Sequence, residues 1–199
     1  MYQELENLMD YSKYCIDIFE NSLPSNVCKD IIDRFEKDTR KVNGGVGYGD
    51  GSTAVDHSLK KCTELNLSTH PEWKDIDELL FKIVGDKVLL LRDKYSGLNK
   101  VNAVSDTGYR IKKYLNNGTE YFNWHIDQSG KAQGNRYLIF MWYLNTVKQG
   151  GETEFKLQDI SVKPVEGRLI TFPPYWTHEH RALPPVDVAK YVMCSWIIF

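Results

Sequence analysis

Trp124-His125-Ile126-Asp127 sets an imidazole and a carboxylate two residues apart. In an extended chain residues i and i+2 leave the same face, so within a strand both groups can converge on one point. Such a triplet is common by chance and carries little alone. About fifty residues later, after Gly167-Arg168-Leu169-Ile170-Thr171-Phe172 and a Pro173-Pro174 turn, comes Trp176-Thr177-His178-Glu179-His180-Arg181. Two imidazoles and one carboxylate on one face of a metal leave three positions open, the arrangement of non-haem iron(II) sites. The same donors suit zinc, so zinc is the competing metal. His178 and His180 stand two apart and either can supply the second imidazole.

A third group bears on that choice. Lys190 lies ten residues after His180, in a final β-prone segment that runs to Phe199. A lone lysine there is ordinarily a solvated surface group. At this spacing from the histidines, however, its ammonium can pair with the distal carboxylate of a dicarboxylate chelated to the metal, which favours iron.

The elements that would carry these residues read as follows. Ile16–Glu20 is β-prone, and a turn leads into a helix from about Asn26, with Val27, Ile31, Ile32 and Phe35 as its apolar stripe and Ser25 or Asn26 as its cap. Residues 43–57 are dense in glycine and lack hydrophobic period, so they are expected to be a loop; no lysine-bearing helix follows to make it a phosphate cradle. A second helical pattern enters at His70-Pro71 and puts Trp73, Ile76, Leu79, Leu80, Ile83, Val84, Val88 and Leu91 on one broad face. Beyond Gly97 the chain becomes short β-prone segments: 108–115, 121–126, 136–144, 152–155, 160–163, 168–172, 181–183 and 190–199. Eight such strands behind a helical N-terminal part predict a mainly β fold with supporting helices packed on one sheet.

The bulk numbers limit the alternatives. A chain of 199 residues can bury a core as one domain. A net charge of −2 exerts no general pull on nucleic acid or anionic membranes, and neither is expected as a partner. Cys15, Cys28, Cys62 and Cys194 form no C-x-x-C pair, which argues against a zinc ribbon. The acidic N-terminus has no apolar leader-like run, and the longest apolar run, 137–144, is too short for a helical span, so the expected location is the cytoplasm.

From about Gly108 to Phe199 the sequence resembles the iron(II), 2-oxoglutarate-dependent oxygenases of the prolyl 4-hydroxylase-like branch. The resemblance rests on the run Tyr114, Gly118, Tyr121, His125, Asp127, then RYLIFMWYLN, GGETEF (Gly150–Phe155), GRLITFPP (Gly167–Pro174) and HRALPP leading to Lys190-Tyr191. Each piece is loose, while their order and spacing together are specific. The resemblance implies a double-stranded β-helix (a cupin-like jelly-roll) over 108–199, supported by 1–107, in a single oxygenase domain. It implies iron(II) on His125, Asp127 and His180, and 2-oxoglutarate as co-substrate, with ascorbate as an optional addition. Lys190 would receive the far carboxylate of 2-oxoglutarate, with Tyr114 and Thr153 beside it. Arg136 and Trp196 would meet substrate, Tyr121 would line the pocket, and His178 would stand on the substrate side or at the surface. The reaction implied is hydroxylation of a C–H bond in a peptide, protein or small-molecule substrate, peptidyl proline first. Another protein side chain or a free amino acid comes next, and a non-catalytic metal-binding β-helix module last. Residues 43–57 and 128–135, rich in glycine and polar residues, are expected to border the pocket as lids.

Overall fold

The computed structural model describes residues 11–48, 50–100 and 105–198. Helix α1 spans Ser25–Lys37, and its buried side is Cys28, Ile31 and Phe35, one helical face at i, i+3 and i+7. The expected cap is absent: Pro24 holds the N-cap position, and no side chain bonds the first turn. Proline's fixed φ suits that entry without a side-chain acceptor. Pro71–Trp73 forms a 3-10 turn, and helix α2 follows over Lys74–Lys94, burying Ile76, Leu80, Val84, Val88 and Leu91. Arg34 of α1 reaches Asp75 of α2 through both guanidinium nitrogens at 2.8 and 3.0 Å and lies 4.4 Å from the Trp73 ring. No described helix is long and apolar enough to cross a membrane.

Among the described residues, the ten strands of three or more residues are β1 (Asp17–Phe19), β2 (Thr63–Asn66), β3 (Arg110–Tyr114), β4 (Tyr121–His125), β5 (Arg136–Tyr143), β6 (Thr153–Phe155), β7 (Ile160–Val162), β8 (Leu169–Phe172), β9 (His180–Ala182) and β10 (Lys190–Ile198). The last predicted strand residue, Phe199, lies outside the described residues. From β3 onward the chain passes back and forth between two antiparallel sheets, except that β6 and β7 form a hairpin within the smaller one. The larger runs β1-β8-β5-β10-β3-β2 and ends on Val42–Asn43; the smaller runs β7-β6-β9-β4 and ends on Lys60–Lys61. This is the expected double-stranded β-helix.

Three local expectations change. Residues 43–57 contain a short hairpin, Val46–Gly47 against Thr53–Ala54, where a plain loop was expected. The N-terminal part also supplies strands beyond the one expected at residues 16–20: β2 pairs with β3, and Lys60–Lys61 pairs with β4, lengthening both sheets at one edge. Finally, Arg181–Leu183 as a strand shifts to His180–Ala182. Pairings of two to four residues carry too little hydrophobic alternation to be legible before their partners are known.

The long apolar run of β5 is explained by burial on both faces. Leu138, Phe140 and Trp142 pack toward α1 and α2, whereas Ile139 and Tyr143 face the space between the sheets. In β10 Met193 and Ile197 take the helix side, and Val192, Cys194 and Trp196 the inner side. Each fully buried large apolar side chain contributes on the order of 1.5–3 kcal/mol. The covered larger sheet is therefore the rigid wall, and the inner space between the sheets is left for side chains that do chemistry.

Candidate active site

His125 closes β4 and His180 opens β9, and the two strands pair with His125 directly opposite His180. Asp127 follows two residues after His125. The ring centroids of His125 and His180 are 4.2 Å apart; Nε2 of His125 stands 3.5 Å from Asp127 Oδ1, and Nε2 of His180 stands 3.9 Å from Asp127 Oδ2. One donor atom from each of the three lies within 4.8 Å of the others.

The imidazoles are prepared for a cation by what holds their other nitrogens. Nδ1 of His125 bonds the Asn123 carbonyl at 2.8 Å, and Nδ1 of His180 bonds the His178 carbonyl at 2.9 Å. A carbonyl only accepts, so each Nδ1 carries the proton and each Nε2 keeps its lone pair for the cluster. Phe122 stacks on His125 at 3.4 Å between centroids. Burial lowers the pKa of both histidines and keeps them neutral. Burial pushes Asp127 the other way, but His180, His125, Lys112 and Arg136 outweigh it and hold the carboxyl well below its usual range. Two neutral imidazoles and an ionised carboxylate are a donor set suited to iron(II) or zinc.

His178 is outside this cluster. Its Nε2 meets the Tyr14 carbonyl at 2.8 Å and its Nδ1 meets the Thr177 hydroxyl at 2.9 Å, so both nitrogens are occupied, and the ring lines neither cavity beside the cluster. The Tyr121 hydroxyl bonds the carbonyls of His57 and Ser58, at 3.1 and 3.3 Å, and likewise lines neither cavity.

Behind the cluster is a narrow inner chamber whose walls include Tyr114, Thr153, Phe172, His180 and Lys190. Lys190 is 0% exposed, and its ammonium donates to the Gly151 carbonyl at 2.7 Å and lies 4.7 Å from the Tyr114 ring. Burial pushes its pKa down to about 7, against the opposing pull of Glu152. That carbonyl is aimed by the turn at Gly150 and Gly151, both at positive φ, 71° and 77°. A methyl at Gly150 would overlap the Pro184 carbonyl oxygen. Gly150→Ala should therefore cost about 2 kcal/mol or more, read as a lower melting temperature in a thermal scan.

In front of the cluster is a wider cavity of about 550 Å³, bordered by Val46, Gly47 and Tyr48 of the short hairpin and by Ser129 and Gln133 of the segment 128–135. Arg136 and Trp196 stand in its wall. The Arg136 guanidinium lies 4.0 Å from the Trp196 ring and donates to the Asp127 carbonyl at 2.9 Å; Trp196 Nε1 donates to Asp127 Oδ2 at 3.1 Å. Both residues thus brace Asp127 as well as line the cavity. A register shift between Arg136 and Leu138 lets Arg136 face inward although Ile139 and Met141, of opposite parity, do so too.

Two inward residues are additional to those singled out in the sequence. Tyr143 donates to the Thr153 hydroxyl at 2.7 Å, and Lys112 lines both cavities. Period two counted back from Tyr114 was the available signal for Lys112. For Tyr143 the signal was hidden inside a run with both faces buried.

Residues 109–198 match the sequence profile of the 2OG-Fe(II) oxygenase superfamily. These residues are a 2OG-Fe(II) oxygenase domain. The domain is that of a 2-oxoglutarate-dependent dioxygenase, and iron(II) and 2-oxoglutarate are its cofactor and co-substrate. Solved structures of similar fold include the viral collagen prolyl hydroxylase of Paramecium bursaria Chlorella virus-1 in complex with 2-oxoglutarate, 17% identical with a TM-score of 0.65, over 92% of this chain and 95% of that one. A prolyl hydroxylase of Trichoplax adhaerens, in complex with a peptide of a hypoxia inducible factor, is 15% identical with a TM-score of 0.74, over 98% and 90%. The prolyl-4-hydroxylase of Pseudomonas putida is 13% identical with a TM-score of 0.67, over 96% of each chain. No protein of curated function matches the sequence.

Proposed function

We propose that this oxygenase hydroxylates a C–H bond of a prolyl residue in a peptide, with iron(II) on His125, Asp127 and His180. The observation that carries the reading is the convergence of those three donors, within 4.8 Å, at the boundary between a lysine-ended chamber and an open cavity. Similarity in fold to prolyl hydroxylases, one of them in complex with a peptide, supports proline as the target.

Each part has a task. Lys190 presents an ammonium to the far carboxylate of 2-oxoglutarate, and the Thr153 hydroxyl, held from behind by Tyr143, offers further polar contact in the same chamber. Bound iron and 2-oxoglutarate supply the oxidising chemistry, in which 2-oxoglutarate is converted to succinate and carbon dioxide as oxygen is activated. Asn123 and His178 carbonyls keep both imidazoles in the tautomer that can ligate, and Trp196 orients the carboxylate. Phe122, Phe172 and Ile139 exclude water from the chamber.

Succinate release stimulated by a panel of proline-containing peptides and free amino acids tests the proposal. Stimulation by a prolyl peptide, with a mass gain of one oxygen on proline, is expected; stimulation by non-prolyl compounds alone would refute the assignment to proline. Trp196→Phe removes the bond to Asp127 while keeping an aromatic wall. It is expected to weaken iron(II) affinity about tenfold, measured by metal titration under argon.

A further inference from the structure

Lys112 is 7% exposed, yet among the described residues its ammonium has no hydrogen bond or ion pair. It lies 5.5 Å from the Trp196 ring and 5.7 Å from the Phe122 ring, aimed into the space where the inner chamber opens to the wide cavity. It is not placed like Lys190. On paired strands Lys190 stands opposite Tyr114 and Lys112 opposite Val192, so Lys112 is one inward position nearer the mouth. Burial opposes its charge, while the nearby carboxylates of Glu64 and Asp127 favour it, and the balance shifts its pKa upward. A buried cation without a partner is costly unless something completes it.

The surrounding charge points the same way. The wide cavity is lined by Lys60, Arg110, Lys112 and Arg136, against Glu64 and Asp127. Asp127 belongs to the metal cluster. Glu64 is ion-paired to Lys60 and lies 3.7 Å from Arg110, so it is already shared. Four cations thus share the wall with two carboxylates, an excess of positive charge in the space where substrate must sit, although the chain as a whole carries a net charge of −2. A low-dielectric cleft lined by one sign of charge concentrates ligands of the other sign.

We propose that the substrate of this oxygenase carries a carboxylate close to the carbon that is oxidised, and that Lys112 is the residue that receives it. The inference rests on the oxygenase reading above and narrows its substrate class. A carboxylate near a proline has two sources, an acidic neighbour in a peptide or the α-carboxylate of a free amino acid, and both meet the same ammonium. Lys112 is then a binding residue that selects acids over amides.

Two matched pairs test this on the full chain loaded with iron(II) and 2-oxoglutarate under argon. One pair is acetyl-Glu-Pro-Glu-amide and acetyl-Gln-Pro-Gln-amide; the other is L-proline and L-prolinamide. Binding is read as a perturbation of the visible iron(II)–2-oxoglutarate band. In at least one pair the acid should bind about tenfold or more tightly than its amide, as a charge-assisted bond requires, and the responding pair identifies the source. In Lys112→Met, which keeps the apolar stem, that ratio should fall toward one. Equal binding within both pairs, no binding by any member, or an unchanged ratio in Lys112→Met would overturn the proposal. So would a Lys112→Met protein whose only defect is weaker 2-oxoglutarate binding, since Lys112 would then serve the co-substrate. The wild-type comparison needs no variant, so it decides the matter even if Lys112→Met does not fold. Failure to form the band in the wild-type protein is a separate result, removing the oxygenase reading and this inference with it.

Discussion

His180→Ala is expected to abolish the visible band that iron(II) and 2-oxoglutarate form under argon, and to lower succinate release by about 100-fold or more; His178→Ala should keep both. The magnitude follows from comparison with outer partners of metal ligands, whose loss already costs about 10–100-fold. The contrast between two histidines only two residues apart is the decisive element. Nε2 of His180 is free to face Asp127 because its Nδ1 is held by the His178 carbonyl, whereas both nitrogens of His178 are engaged with Tyr14 and Thr177. A band retained in His180→Ala and lost in His178→Ala would reverse the ligand assignment. A protein that binds zinc tightly and never forms succinate would instead favour a metal-binding module without this catalysis.

Lys190→Met should raise the KM for 2-oxoglutarate by about two orders of magnitude, because removing one member of a buried charge pair leaves the other uncompensated at a cost of about 3 kcal/mol or more. A pH dependence accompanies it. Burial depresses the Lys190 pKa to about 7 in the absence of co-substrate. Below that pH the ammonium is already present and 2-oxoglutarate binding should be nearly independent of pH. Above it, binding a dicarboxylate requires uptake of a proton, so the apparent Kd should rise toward about tenfold per pH unit. His125, His180 and Asp127 are all shifted downward and do not titrate in that window. Titrating the band with 2-oxoglutarate at pH 6, 7, 8 and 9 measures the effect. Lys190→Arg, which stays charged throughout, should flatten the curve. A flat curve for the wild-type protein would show that the Lys190 ammonium is not what 2-oxoglutarate binding requires.

The Trp196 ring at the cavity mouth connects these expectations to the substrate. Trp196 holds Asp127 through its indole N–H while its face meets the Arg136 guanidinium, so the wall that substrate would touch is also the wall that braces the carboxylate. Replacing Trp196 by a non-aromatic residue should therefore move metal affinity and substrate affinity together, whereas changes at Lys112, which bonds none of the three proposed metal-binding residues, should separate them.

What was legible in advance was local. The i, i+2 spacing brought His125 and Asp127 together, although Asp127 lies just past the end of β4; the apolar stripes of α1 and α2 marked their buried faces, and the alternation of β-prone segments with turns outlined the strands after Gly97. Lys190 could be singled out by its distance from the histidines along the chain. Period two, however, says that residues share a side without saying which side is the interior. The tertiary structure decided that His180 turns into the cluster, that Arg136 crosses to the inner face by a register shift, and that Lys112 lies buried among aromatic rings. It also added β2 and Lys60–Lys61 to the sheet edges. The reason is physical: each depends on hydrogen bonds and packing between segments tens of residues apart, and no short window of sequence contains both partners.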